Sequence, residues 1–229
     1  LAGGCDILDI KDPTRGSLGM ADPEAITRIS AAVRQRGRPT MLSVALGELV
    51  EWPPDRPIAV IPQRVDFLKL GPAGLSRHWQ WLNQWRSTRH RFEQQAGRRL
   101  NWVAVAYADW KPARAPAVDA IVDQALEEGL PVVLIDTYTK ATGRLLDWLP
   151  QDRLAGLAER IHEGGAKLAV AGRLTAGAAR AIGACGVDIF AIRSAACEDG
   201  LRTGKVTSDC VRRFLSAIRV AATASGRAD

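Results

Sequence analysis

The sequence predicts an α/β chain, specifically a TIM-type (β/α)8 barrel. Short apolar runs recur along it, helical patterns lie between most of them, and several runs end on a charged residue.

The runs are Cys5–Ile10, Met41–Leu46, Val65–Leu70, Trp102–Tyr107, Val132–Asp136, Ala166–Ala171 and Val187–Ile192, seven in all. Apolar stretches this short suit parallel strands covered on both faces. Helical spacing is read at Pro23–Arg36 behind an Asp22 cap, and then at Leu75–Arg91, Ala117–Glu128, Leu145–His162, Thr175–Ile182 and Asp209–Thr223. The Pro-rich stretch Gly47–Pro62 predicts only a poorly defined helix. Alternation of strand and helix at roughly thirty-residue intervals is the pattern of repeated βα units on a parallel sheet. Leu1-Ala2-Gly3-Gly4 reads as the last turn and glycine cap of a helix. That implies a strand and helix ahead of it, which brings the count to the eight of a closed barrel. The expectation is thus a single barrel domain over 1–229, without its first strand and most of its first helix; a doubly wound sheet is the alternative. A barrel with two open edges is unfavourable unless they are covered or paired with another chain, so a homo-oligomer is also expected.

Composition limits the classes of function. A net charge of +6 and a sequence pI near 9.5 invite an anionic partner: nucleic acid, a membrane surface or a phosphorylated metabolite. Cys5, Cys185, Cys197 and Cys210 are scattered, with no CxxC pair and no His at zinc spacing, so neither a disulfide framework nor a metal site is indicated and a reducing cytoplasm fits best. No apolar run approaches membrane-spanning length, so no membrane partner is expected. Arg86–Arg99, near Trp79, Trp81 and Trp85, has the basic and aromatic content of a nucleic-acid binder. Leu75, Trp79 and Leu82, however, have the spacing of a buried helical stripe with the arginines as its solvated face, which argues against nucleic acid.

Side chains alternate across a strand, so Ile7, Asp9 and Lys11 share one face while Leu8 and Ile10 share the other. Val65, Phe67 and Lys69 align in the same way, as do Val132, Leu134 and Asp136, and Val187, Ile189, Ala191 and Arg193. In each strand the charge comes last, at the end that forms the active-site mouth of a parallel barrel. Lys140 follows Asp136 in the loop Thr137–Gly143. Pocket lysines serve as acids, bases, phosphate clamps or amine nucleophiles toward carbonyls. The nucleophile has the strictest demand, because an ordinary lysine with pKa about 10.4 is almost wholly protonated at neutral pH. Burial beside other cations meets that demand, whereas a carboxylate opposes it, so Asp9 suits proton movement or orientation better than activation. Gly172-Arg173 and Arg193-Ser194-Ala195 follow the last two strands, where loops of this architecture commonly hold phosphate.

These residues resemble the (5-formylfuran-3-yl)methyl phosphate synthases of methanofuran-type cofactor biosynthesis. The resemblance is carried by Ala2-Gly3-Gly4 with Asp6 through Pro13, by Gly16-Ser17-Leu18-Gly19, and by Asp66 through Gly71. It continues through Tyr107-Ala108-Asp109, Leu134 through Thr137, Ala171-Gly172 and Arg193 through Cys197. It implies a TIM-type barrel that condenses two molecules of glyceraldehyde 3-phosphate, a phosphorylated triose, without metal or organic cofactor. It further implies Lys11 as Schiff-base nucleophile, Lys69 as general acid/base, and Asp9, Asp136 and Lys140 as further catalytic groups. The chain departs from the pattern at Asp12, where Asn is expected, at Arg173, where Ser is expected, and at Ser194, where Gly is expected. The nearest alternative is another Schiff-base barrel aldolase acting on a sugar phosphate.

Overall fold

In a computed structural model that describes residues 1–35, 39–76 and 81–225, seven parallel strands form one sheet in sequential order. They are β1 (Ile7–Ile10), β2 (Met41–Glu48), β3 (Phe67–Gly71), β4 (Trp102–Tyr107), β5 (Val132–Asp136), β6 (Lys167–Val170) and β7 (Ile189–Phe190). Every strand pairs in parallel with its neighbours in sequence, and the order never reverses. A doubly wound sheet needs a reversal, so that alternative is corrected: the winding is of the barrel type. The expected eighth strand is not among the described residues, and the sheet leaves β1 and β7 with one neighbour each.

The helices are α1 (Pro23–Gln35), α2 (Trp81–Ala96), a one-turn α3 (Trp110–Ala113), α4 (Val118–Glu127), α5 (Leu145–Trp148), α6 (Gln151–Glu163), α7 (Ala176–Gly183) and α8 (Ser208–Ser225). The helix expected over Leu145–His162 is two, because Pro150 has no N–H to donate and starts α6 as its cap. Gly47–Pro62 holds a 3₁₀ turn at Leu49–Glu51 in place of a helix. It covers the sheet by burying Trp52, whose indole N–H donates to the Leu46 carbonyl at 2.8 Å while its ring meets Phe92 of α2 edge-on. Arg36, His78 and Trp79 lie outside the described residues. The buried stripe of α2 runs through Trp85, Thr88 and Phe92, and Arg86 and Arg89 both engage Glu128.

Two buried clusters divide the strand residues as alternation requires. Leu68, Trp102, Ala104, Val133, Ile135, Leu168 and Val170 pack with the helices. Phe67, Val103, Val105, Tyr107, Val132, Leu134, Ala169 and Ile189 form the second cluster on the opposite face, where Asp9, Lys69 and Asp136 also stand in the alternation. Val65 and Val187, expected on that inner face, join the helix-side core, because β3 and β7 begin only after them.

The seam between β1 and β7 is bridged by side chains. Arg202, in the loop before α8, donates to the Gly16 carbonyl at 2.6 Å, and Arg212 of α8 donates to the Ala2 carbonyl at 3.1 Å. Gly4 takes a left-handed φ of 85° and closes a turn on Leu1, the geometry of a helix-terminal glycine. Among the described residues, no helix is long and apolar enough to cross a membrane.

Candidate active site

The charged strand tips converge. Lys11 follows β1, Asp9 stands one inward position below it, and Lys69 occupies the inner face of β3. Between them β2 presents only Ser43 and Ala45, paired in register with Asp9 and Lys69. Those small side chains let the Lys69 ammonium reach across a whole strand to Asp9, at 2.5 Å. Lys69 is buried at 6% exposure. The Asp9 side chain keeps 30% of its exposure although protein crowds it. Burial pushes the Asp9 carboxyl pKa up, but Lys69 and Lys11 outweigh it, with help from a Ser43 hydrogen bond, and hold it below the ordinary value.

Asp136 ends β5 and is buried at 2% exposure. One oxygen accepts the Lys140 ammonium at 2.7 Å and the Thr137 N–H at 2.7 Å; the other accepts the Ser17 hydroxyl at 3.4 Å. Burial opposes its ionisation, yet Lys140 and Lys11 prevail and its pKa is lowered. Lys140 folds back because the buried Asp109 clamps the loop, accepting the N–H groups of Tyr138 and Thr139 at 2.7 Å each. Its ammonium also donates to the Thr137 carbonyl.

Lys11 faces this whole constellation. Its amine donates to the Ser17 carbonyl at 3.2 Å. Burial lowers its pKa from 10.5 to about 8; Asp136 and Asp9 pull it up, and Lys69 and Lys140 push it down. Desolvation therefore does the larger share of the activation, assisted by the neighbouring cations. At neutral pH roughly a tenth of such an amine is uncharged, against well under a thousandth of an ordinary lysine. An uncharged amine among two carboxylates and two ammonium groups is equipped to add to a carbonyl and to move protons around the adduct.

The predicted phosphate residues divide. Arg193 caps the 3₁₀ turn Ser194–Ala196, donates to the Gly204 carbonyl at 3.3 Å and lies close enough to Arg202 to help burial depress its pKa. Neither arginine has an ion-pair partner among the described residues, and both bond only to backbone carbonyls. Gly172 sits at φ 109° against Thr137 and the start of α5. Arg173 is exposed with a left-handed φ of 55° and makes no polar contact among the described residues, so it stands outside this charge network.

Sequence reasoning missed Ser17, Glu48, Tyr107, Asp109 and Arg202 as members of the site. Tyr107 was readable, since it continues the inward set Val103 and Val105, but it carries no charge at neutral pH. Glu48 was not. Alternation from Ser43 and Ala45 turns it outward, and the register shift between Ala45 and Glu48 returns it to the inside. Gly71 makes room for the pair they form: a Cβ there would overlap Glu48 Oε2 and the Tyr107 hydroxyl. Gly71→Ala is therefore expected to destabilise the protein by about 1–3 kcal/mol through overpacking, read as a lower denaturant midpoint. Asp9→Ala strands the buried Lys69 ammonium and is expected to cost about 3 kcal/mol by the same measurement.

Comparison with known proteins gives the fold and the family. Among similar solved structures is a thiamine phosphate pyrophosphorylase from Pyrococcus furiosus, with TM-score 0.59 and 15% identity over 96% of this chain and 86% of that one; this is a likeness of fold. Sequence relatives include the (5-formylfuran-3-yl)methyl phosphate synthase of Methanococcus maripaludis, 30% identical over 96% of this chain and 93% of the relative. The synthases of the same name from Methanopyrus kandleri and Methanocaldococcus jannaschii are 29% and 27% identical, over 94% and 93% of this chain and 91% of each relative. The model of the 4-HFC-P synthase family matches residues 1–215, and the chain belongs to that family of synthases.

Proposed function

We propose that this protein condenses two molecules of glyceraldehyde 3-phosphate into (5-formylfuran-3-yl)methyl phosphate through a Schiff base on Lys11, as a step in the biosynthesis of a methanofuran-type cofactor. The observation that carries the reading is the Lys11 amine, its pKa lowered to about 8, set among the charges of Lys69, Asp9, Asp136 and Lys140. Addition of that amine to one aldehyde and loss of water give an iminium, an electron sink that lets a base take the neighbouring proton. The resulting enamine forms a carbon–carbon bond to the second aldehyde. Elimination of orthophosphate, ring closure, dehydration and release from Lys11 follow. Two triose phosphates equal the furan product plus one orthophosphate and two waters, so the sequence needs no oxidant.

Lys69 with Asp9, and Lys140 with Asp136, move the protons, since each pair joins a donor and an acceptor at hydrogen-bond distance. Arg193, Gly172 and the turn Ser194–Ala196 hold phosphate on this reading, and Arg202, which feels Asp136 but forms no direct ion pair among the described residues, joins Arg193 as a second guanidinium. In a fully closed barrel an eighth strand fills the gap beside β1, where a cleft of about 330 Å³ runs along Asp9, Lys11 and α1. The enzyme on this reading works in the cytoplasm on soluble triose phosphates.

The test supplies glyceraldehyde 3-phosphate as sole substrate and follows ultraviolet absorbance and free orthophosphate. A new furan-aldehyde chromophore with one orthophosphate per product is the expected result. An aldol sugar phosphate without a chromophore would instead favour a Schiff-base aldolase of different product.

A further inference from the structure

Glu48 and Tyr107 form a buried pair that the scheme above does not use. The Tyr107 hydroxyl bonds Glu48 Oε1 at 2.6 Å, and Glu48 Oε2 accepts the Ala73 N–H at 3.0 Å. Tyr107 is fully buried and lies level with Asp136 in the β4–β5 register. Its hydroxyl lies beside that of Ser17, which is 3.2 Å from the Thr137 carbonyl and 3.4 Å from the second oxygen of Asp136. A continuous chain of hydroxyls thus runs from the Glu48 carboxyl to the carboxylate beside Lys140.

The two ends of this chain differ in character. Asp136 lies between ammonium groups that favour its ionised form, and holds a proton poorly. The groups that act on Glu48 are Tyr107 of β4, Glu51 of the following turn and Asp136 of β5, with no ion pair to it among the described residues. Burial, aided by Glu51 and Asp136, raises its pKa although the Tyr107 and Ala73 hydrogen bonds oppose this. The elimination of phosphate and water needs a proton delivered to each departing oxygen, and an ionised Asp136 has none to give.

Resting on the proposed function above, we propose that Glu48 is the proton store of this site and recharges Asp136 through the hydroxyls of Tyr107 and Ser17. The Tyr107 hydroxyl, which donates to Glu48 at rest, turns toward Ser17; the Glu48 proton then passes to the Tyr107 oxygen, the Tyr107 proton to the Ser17 oxygen, and the Ser17 proton to Asp136 Oδ2. Three O–H bonds break and three form, leaving Glu48 ionised and Asp136 transiently neutral, the stronger acid of the two and the one that protonates the leaving group. Glu48 acts through Asp136 and need not touch substrate. The pair also braces the ends of β2, β3 and β4, so the test must separate proton supply from support.

Glu48→Gln keeps size and polarity without an acid proton, and Tyr107→Phe cuts the chain while keeping the ring. Each is expected to lower kcat about 10- to 100-fold with KM within about twofold, and the double variant to be no worse than either alone. Borohydride trapping of glyceraldehyde 3-phosphate on Lys11, which precedes the eliminations, should match wild type. The fall of wild-type kcat as pH rises through the Glu48 titration should vanish in Glu48→Gln. Turnover within about twofold of wild type, or trapping that drops in step with kcat, would overturn the proposal. Absence of trapping in wild type would instead remove the Schiff-base reading. ¹³C titration of the Glu48 carboxyl in the wild-type protein then decides the proton store independently: a pKa above the ordinary range, sensitive to Tyr107→Phe, supports it, and an ordinary pKa overturns it.

Discussion

Lys11→Ala is expected to lower furan formation by at least about 1,000-fold, with loss of every borohydride-trapped adduct, because no other pocket amine matches its surroundings. Lys69 and Lys140 hold carboxylates at 2.5 and 2.7 Å, contacts that tie up the ammonium, whereas among the described residues Lys11 bonds directly only to the Ser17 carbonyl. Lys11→Arg separates the nucleophile from the charge. Arginine stays protonated at any working pH, so the positive charge beside Asp136 and Asp9 remains while the addition step is lost. An equal loss in both variants, with denaturant midpoints close to wild type, identifies the missing amine as the cause. Turnover in either variant within about tenfold of wild type would contradict the assignment.

Asp136→Asn is expected to move two quantities in opposite directions. Asp136 is foremost among the charges that raise the Lys11 pKa. Without it the Lys11 ammonium is less favourable, its pKa falls below about 8, and the neutral fraction at pH 7 grows. Trapping at Lys11 near neutrality should therefore become faster. Furan formation should fall about 100- to 10,000-fold, since the carboxylate that anchors Lys140 and receives the Ser17 hydroxyl has lost its ability to move a proton. Stopped-flow trapping and steady-state product assays on the same preparation measure the two effects. A parallel fall in both would show that Asp136 merely supports the pocket.

Much of this site was readable before the fold was known, because a strand's period of two is robust where a strand is buried on both faces. Trp102–Tyr107 and Val132–Asp136 are observed with the limits the apolar runs predict, and Asp9, Lys69 and Asp136 face inward as alternation requires. The misses share a cause: they occur where the period breaks or never applied. Glu48 lies beyond a register shift, Val65 and Val187 precede the strands they were assigned to, and Pro150 divides a helix whose apolar spacing continues across it. Ser17, Asp109 and Arg202 sit in loops, where position follows from long-range hydrogen bonds such as Arg202 to the Gly16 carbonyl, 186 residues away in sequence. The reach of Lys69 to Asp9 likewise depends on Ser43 and Ala45 of the intervening strand being small, which strand periodicity alone does not weigh.

Burial is the largest influence on the Lys11 pKa and the four charges around it partly cancel. Withdrawal from water therefore lowers the Lys11 pKa more than any single neighbour does. Ser17, whose carbonyl accepts the Lys11 amine, is buried in the loop after β1, and Arg202 pins the same loop at Gly16.

The pH dependence of borohydride trapping at Lys11, with glyceraldehyde 3-phosphate and peptide mapping of the adduct, tests this claim most directly. Addition requires the neutral amine, so the trapping rate should climb about tenfold per pH unit below a midpoint near 8 and level off above it. A rate still climbing past pH 10, or an adduct carried by a lysine other than Lys11, would contradict it.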